Sequence, residues 1–427
     1  MYNCEITLRR LDLIVVKMLK KILRFLLYLP VGYFVYFLSL FVPKNSNIWV
    51  FGSWFGNKFA DNSKYLFLYV KKFHPEIRAL WFTHNENVYS QLLNEGYEVY
   101  KINSLKAFLY ATRAGYVIVS TGANDVLGVL SKFIKVNIIQ LWHGTPLKKL
   151  REVSNFNKKF VDFAKKILPF YGERYRLVLA TSELSRKSMT SVFAINEEKV
   201  VVTGYPRNDA FFANWAKKSE CQFVKRIKEN IGCKNIIAYL PTCRGIGSDI
   251  KIDLFKRYKF DPLKVQKTLE KINGAMVMKP HFYNTFEYDK TSLSTNRIFV
   301  VSDLDFPDIY EFLPYVDILI TDYSSVYFDF LLLNRPIIFA PFDINEFVAT
   351  TTELFYKYDE VTPGPKAKSW DEVIECILES ATDRKKYESE RKKVSTVFNK
   401  YADGSSSMRV YNAIMELLNE KKKEVRN

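Results

Sequence analysis

Cysteine and histidine are scarce in this chain. Its 427 residues include five Cys, Cys4, Cys221, Cys233, Cys243 and Cys376. No two of them form a CxxC pair, which argues against a zinc site and for a reducing compartment. Only four His occur, His74, His84, His143 and His281. No internal repeat and no low-complexity tract is present. No small-residue cleavage site follows the first apolar run, so a signal peptide fits poorly. What is abundant narrows the class further. A hydrophobic content of 48% and an aromatic content of 16% exclude a disordered protein. The formal net charge of +17 favours anionic partners: nucleic acid, anionic lipid or phosphorylated substrates. The length leaves room for two or three domains.

Residues 1–24 carry a helical pattern. Arg10, Lys17, Lys20, Lys21 and Arg24 share one face, and Leu13, Ile14, Val15, Met18, Leu19, Ile22 and Leu23 fill the rest. Basic amphipathic helices of this type lie on anionic membranes. Phe25–Pro43 follows without a charge. It is just long enough to cross a bilayer core of ~30 Å. Pro30 and Gly32 are expected to kink it. A span with a basic N-terminus inside would export everything after it. Spanning and lying in the interface therefore both stay open on this pattern alone.

From Asn47 the rhythm is strand, helix, strand. Strands are expected at Asn47–Trp54, Ala79–His84, Glu98–Ile102, Tyr116–Thr121, Asn137–Leu141, Leu177–Thr181 and Val200–Thr203. Helices are expected between them at Ser63–Lys72, Val88–Asn94, Leu105–Arg113 and Asn157–Ile167. Asn214–Phe223 turns polar and reads as a linker. The rhythm restarts with strands at Asn235–Leu240, Ala275–Lys279, Ile298–Val301, Ile318–Thr321 and Pro336–Phe342. Trp370–Glu424 reads as mostly helical. Alternation of this kind implies parallel sheets covered on both faces, here two doubly wound domains with a cleft between them.

Ligands of open α/β sheets bind at the carboxyl ends of strands. Two of the four His fall there. His143 follows the strand Asn137–Leu141, where Gly144, Thr145 and Pro146 break the strand. Thr145 is expected to cap a helix with Pro146 at its first position, and Lys148 and Lys149 in its first turn. His281 follows the strand that begins at Ala275, in Lys279-Pro280-His281. Facing each other across a cleft, two such His suit a general base and an acid or phosphate binder. The plainer reading makes them unrelated loop residues. In Ile318–Ser325 a buried strand runs into Asp322, Tyr323, Ser324, Ser325 and a helix at Val326–Leu333. Free N–H groups at a helix start bind phosphate, although Asp or Ser also serves there as an ordinary cap. Arg207 and Arg244 each follow a strand and a proline, and Arg clamps oxyanions with paired donors. A solvated or domain-bridging cation is the plainer reading of each. Asp303-Leu304-Asp305 resembles the DxD of metal-dependent glycosyltransferases, but Pro307 and Asp308 read as a helix start. No metal cage is visible.

Taken together, LWHGTPLKK, TGYPRND, YLPTCR, KPH, LITDYSSVYFDFLLLNRPIIFAPFD and PGP resemble the CDP-glycerol glycerophosphotransferase family, in that family's order over roughly residues 47–415. The family builds teichoic acids and related phosphopolyol polymers. The resemblance implies the GT-B architecture. A membrane-associating helical segment would occupy 1–45 and an acceptor-side Rossmann-like domain 46–215. A CDP-donor domain would fill 216–400 and a C-terminal helix 401–427. It implies His143 and His281 as catalytic residues, with His143 as base. Asp322, Ser324, Ser325, Arg244 and Lys279 would serve the donor phosphates. Gly144, Thr145, Lys148 and Arg207 are further candidate substrate contacts. The implied partners are CDP-glycerol or CDP-ribitol, a lipid-linked acceptor and the membrane surface, with no nucleic acid, metal or cofactor. Lys17, Lys20, Lys21 and Arg24 would hold the enzyme on the cytoplasmic face of the membrane. Two other readings remain: a GT-B glycosyltransferase using a nucleotide sugar, and a non-catalytic membrane-bound scaffold. The large N-terminal extension of the long polymerases is lacking.

Overall fold

The computed structural model describes residues 29–149, 168, 175–216, 221–242, 244, 254–280, 290–303, 305–350 and 353–426. The basic face formed by Lys17, Lys20, Lys21 and Arg24, the helix expected at Asn157–Ile167, and His281 lie outside the described residues.

Two parallel sheets organise the chain. The first contains β1 (Asn45–Phe51), β2 (Arg78–Thr83), β3 (Val99–Lys101), β4 (Ala114–Val119), β5 (Ile138–Gln140), β6 (Tyr175–Ala180) and β7 (Val200–Val202), in the order β3-β2-β1-β4-β5-β6-β7. The second contains β8 (Asn235–Leu240), β9 (Gly274–Met278), β10 (Ile298–Val300), β11 (Ile318–Thr321) and β12 (Ile337–Phe339), in the order β10-β9-β8-β11-β12. All residues of β4 and β9 are buried, as strands covered on both faces must be. Every strand expected from the sequence forms, with ends moved by a few residues. The strand order reverses between β1 and β4 in one sheet and between β8 and β11 in the other. A crevice opens at the carboxyl edge wherever the order reverses.

Helices cover both sheets. Residues 29–41 form α1. They are followed by α2 (Asp61–Phe73), α3 (Glu86–Asn94), α4 (Leu105–Arg113) and α5 (Glu183–Phe193). Local chemistry explains the starts of α3 and α4. The Asn85 side chain accepts the N–H groups of Asn87 and Val88, and Ser104 accepts that of Ala107. In the second half, α6 (Gln222–Ile231) and α7 (Pro262–Lys271) flank the sheet, and α8 (Val326–Phe330) follows β11. The chain then runs through α9 (Trp370–Thr382), α10 (Glu388–Phe398) and α11 (Ser406–Arg426). Among the described residues no helix is long and apolar enough to cross a membrane.

One expectation fails. Thr145 caps no helix, and Pro146 starts none. Residues 147–149 are extended instead and pair antiparallel with the segment around Leu354. The Lys149 N–H donates to the Glu353 carbonyl at 2.8 Å, and the Phe355 N–H to the Leu147 carbonyl at 2.8 Å. Leu147 is buried in the core of the second half. Pairing and burial across the two halves override a local cap signal that is worth only ~1 kcal/mol. The Thr145 hydroxyl turns to that of Thr181, 3.3 Å away.

The last helix returns to the first half. Val410, Tyr411 and Ile414 of α11 join the core around Trp49 and Leu66. Asp209 fixes this return, because its buried carboxylate accepts the N–H groups of Ser406 and Ser407, each at 2.8 Å. Asp209→Ala leaves both donors buried without a partner. We expect a loss of about 1–3 kcal/mol in unfolding free energy by urea titration. An unchanged midpoint would mean that α11 is held by its apolar face alone.

Candidate active site

His143 sits at the carboxyl edge of the first sheet. The loop that carries it is held from three sides. The Trp142 N–H donates to Gln140 Oε1 at 2.9 Å. Asn62, at the start of α2, donates from Nδ2 to the carbonyls of Leu141 and Trp142 at 3.3 and 2.9 Å. His143 Nδ1 lies 3.1 Å from the Ser120 carbonyl at the end of β4. A carbonyl only accepts, so Nδ1 carries the proton and Nε2 keeps its lone pair. Ser120 is fixed in turn by Asp125, which accepts the N–H groups of Ser120 at 2.8 Å, Thr121 at 2.7 Å and Phe55 at 2.7 Å. Burial depresses the His143 pKa, against the opposing pull of Asp61 and the Ser120 carbonyl. The imidazole is therefore neutral at pH 7, the state a base requires.

Backbone strain gathers around this histidine. Trp54, Phe55, Asp61 and Trp142 all have φ between 49° and 64°. Bulky residues rarely adopt the left-handed region, at a cost of about 1–3 kcal/mol each. The Trp54 ring lies 5.6 Å from the His143 ring, and the Trp142 ring 4.1 Å. Trp54 Nε1 donates to Asp61 Oδ2 at 3.1 Å. The β1–α2 connection and the loop after β5 are thus bent so that two indoles and an imidazole meet at one corner.

The second sheet brings its own crevice to the same place. At the ends of β8 and β11, Asp322 accepts the Thr242 N–H at 2.9 Å and the Tyr323 N–H at 2.6 Å. Arg244 ties the loops together. It donates to both Asp343 oxygens at 2.8 and 2.9 Å, to the Thr242 carbonyl at 2.6 Å and to Asp322 at 2.8 Å. The charge of Arg244 is thus met by both Asp322 and Asp343, and the three together set the shape of the loop. Ser324 and Ser325 stay partly exposed. Ser325 precedes α8 but its hydroxyl makes no cap bond, so ordinary capping does not consume it. Lys279, at the end of β9, pairs with Asp303. Lys58 of the first half reaches the same carboxylate at 2.7 Å.

The two halves meet at Gly144. A Cβ added there would lie 2.4 Å from Ser325 Oγ and 3.8 Å from an Arg207 nitrogen. The residue after the histidine therefore touches the serine loop of the opposite domain, and only glycine leaves the gap. Arg207 lies beneath this contact. It is buried, donating to Asp61 Oδ1 at 2.8 Å and to Asp329 Oδ2 at 2.5 Å. It is the domain-bridging cation, with Asp61 from one half and Asp329 from the other. Lys64 adds a second bridge, to Asp308 at 2.7 Å and Glu311 at 2.5 Å. Lys148 lies over the Phe347 ring at 5.6 Å. Asp61, Asn62, Trp54, Asp125 and Asp329 were not singled out from the sequence. FADNS offered a signal only as a helix start. Among the described residues no cluster of three or more His, Cys, Asp or Glu is placed to hold a metal.

Two facing parallel sheets with a site between their reversal points define a GT-B transferase architecture. The chain belongs to the CDP-Glycerol:Poly(glycerophosphate) glycerophosphotransferase family, whose model matches residues 34–416. It is 26% identical over 383 residues to a teichoic acid glycerol-phosphate transferase of Staphylococcus aureus, covering 87% of this chain and 94% of that one. It is 34% identical over 223 residues to a teichoic acid poly(ribitol-phosphate) polymerase of Bacillus spizizenii, covering 48% of this chain and 32% of that one. The fold matches that of the wall teichoic acid polymerase TagF, solved as a variant soaked with CDPG. The TM-score is 0.71 at 22% identity, over 95% of this chain and 99% of that one.

Arg207→Leu tests the bridge. It leaves Asp61 and Asp329 buried without their cation, and we expect a stability loss of about 3–5 kcal/mol in denaturant titration. A loss under ~1 kcal/mol would mean that the two carboxylates find other partners.

Proposed function

We propose that this protein transfers a polyol phosphate from a CDP-polyol to a hydroxyl of a lipid-linked acceptor in the synthesis of a teichoic acid or related cell-surface polymer. CDP-glycerol is the favoured donor and CDP-ribitol the other candidate. The observation that carries the reading is the contact of Gly144 with Ser325. It sets a neutral imidazole beside a serine loop from the opposite domain.

His143 Nε2 accepts the proton of the acceptor hydroxyl as its oxygen attacks the polyol-linked phosphorus. The new P–O bond forms as the bond to the bridging oxygen breaks, and CMP leaves with that oxygen. His143 keeps the proton as an imidazolium until solvent takes it. Charge on the diphosphate is met by Ser324, Ser325, Lys279 and His281 and by the N–H groups that open α8. Asp322 and Arg244 position that loop. Thr145 and Arg207 shape the cleft from below, Gly144 provides clearance, and Lys148 lies at its edge. CDP-activated donors are cytoplasmic. Residues 1–43 therefore serve as an interfacial anchor on that face, with Lys17, Lys20, Lys21 and Arg24 toward anionic headgroups at ~1 kcal/mol each.

The direct test is CMP release from CDP-glycerol and CDP-ribitol with a lipid-linked acceptor, the product being weighed. Release of UDP from a nucleotide sugar instead would overturn the reading. His143→Ala and His281→Ala are each expected to lower turnover by ~100-fold or more. Because burial depresses the His143 pKa, the base is lost only as pH falls through a value below that of an ordinary histidine. The acid limb of kcat/KM should have its midpoint there and should vanish in His143→Ala. Near-wild-type turnover in either variant removes that residue from the chemistry.

Gly144→Ala probes the domain contact itself. The new Cβ pushes Ser325 aside, and we expect kcat/KM to fall by roughly 10- to 100-fold. Unchanged kinetics would show that the Ser325 hydroxyl is not needed where it stands.

A further inference from the structure

Soluble monomers rarely expose contiguous apolar surface beyond a few hundred Å². Here one side of the first domain exposes large apolar side chains on three neighbouring segments. On α1, Phe34 is 64% exposed, Phe37 58%, Leu38 49% and Phe41 70%. On α4, Leu105 and Leu109 are 73% and 51% exposed, one helical turn apart on the outer face. In the loop between β4 and β5, Val129 and Leu130 are 53% and 45% exposed.

Hydrogen bonds join the three segments. The Val129 N–H donates to Asn103 Oδ1 at 3.4 Å, just ahead of α4. The Lys135 N–H, further along the same loop, donates to Ser39 Oγ of α1 at 3.2 Å. Lys44, past the end of α1, donates to the Thr112 carbonyl in α4. The three segments are therefore neighbours on one side of the domain.

Its charge has one sign. Residues 29–50 and 103–137 contain Lys44, Lys106, Arg113, Lys132 and Lys135, all exposed, and a single acid, Asp125. That acid is fully buried, holding Ser120. Beside these segments the partly exposed Glu98 is paired with Arg78, which also reaches Tyr110 of α4. An apolar face whose own segments expose cations and no acid is complementary to an anionic lipid bilayer, where apolar side chains enter the interface and Lys or Arg meet the headgroups.

The geometry points to a second membrane contact on the catalytic domain itself, made by α4 and the β4–β5 loop beside α1. The inference rests on the proposed use of a lipid-linked acceptor and gives that acceptor a route. One loop carries Ser120, which holds His143, and nine residues later Val129. A chain segment of that length spans at most ~30 Å. Docking Val129 and Leu130 in the interface therefore keeps the catalytic base within reach of a hydroxyl presented from the bilayer surface.

The test uses the full chain and sedimentation with vesicles of phosphatidylcholine mixed with phosphatidylglycerol, against phosphatidylcholine alone. The variants are Leu105→Glu with Leu109→Glu, and Val129→Glu with Leu130→Glu, with residues 1–43 intact. Leu105 and Leu109 are exposed and glutamate is a good helix former, so circular dichroism should be unchanged. Each double variant is expected to lower partition into the mixed vesicles by roughly tenfold or more. CMP release with a detergent-soluble acceptor should stay at the wild-type rate. Wild-type partition by both variants overturns the inference. So does a dimer in vesicle-free buffer that the Leu105→Glu, Leu109→Glu variant converts to monomer, since the face then belongs to a second copy. Equal wild-type binding to both vesicle types overturns its anionic part. Normal partition of the wild type with no CMP release counts against the proposed chemistry and leaves the surface standing.

Discussion

A buried guanidinium lies at the centre of the contacts between the two halves of this molecule. Arg207 comes from the loop after β7 and reaches Asp61 in its own domain and Asp329 in the other. Stripping water from three charges is costly, and the cost is offset only when donors and acceptors match closely. The arrangement does match, since Tyr310 and Asn208 also donate to Asp329, at 2.5 and 3.1 Å. The contact of Gly144 with Ser325 sits directly above. Neither sheet alone could hold a histidine and a serine loop at that separation. The buried cluster does so without placing a substrate-facing charge in the cleft.

The cluster also accounts for the strain around His143. Asp61 is left-handed, and its carboxylate serves Arg207 on one oxygen and the Trp54 indole on the other. A regular helix start would aim that carboxylate elsewhere. The distorted backbone is thus coupled to the pairing of the domains, and the pairing stabilises it. Strain that surrounding contacts enforce in this way gathers at sites that must be held in one geometry.

Much of the fold was legible in the chain. Apolar runs at regular spacing marked every strand, because strands covered on both faces leave a continuous hydrophobic signature. The placement of His143 and Ser325 at strand ends followed from the same pattern. What escaped was pairing across distance. Asp61 and Asp329 look like ordinary helical acids until Arg207 is placed between them. Thr145-Pro146 read as a helix start because the cap signal is local, whereas the pairing with Leu354 is not. Leu105–Arg113 read as a helix, yet the sequence does not say that Leu105 and Leu109 point outward. Trp54 and Trp142 gave no sign of their left-handed backbone, since residue type argues against it.

The return of the last helix has a mechanical meaning. Asn399 donates to the Phe328 carbonyl of the second domain, while the next residue, Lys400, donates from its backbone to Thr181 of the first. The chain therefore crosses between domains within one peptide unit. The earlier crossing lies alongside, because a Cβ on Gly404 would meet Phe212 and Ala213 at 2.9 and 3.2 Å. Two crossings packed against one another define a line. A rigid-body motion that kept both crossings in place would be a rotation about that line, like a book about its spine. The distance of a group from the spine fixes how far it travels. Contacts between the two covers, Gly144 on Ser325 among them, govern how far the book can shut.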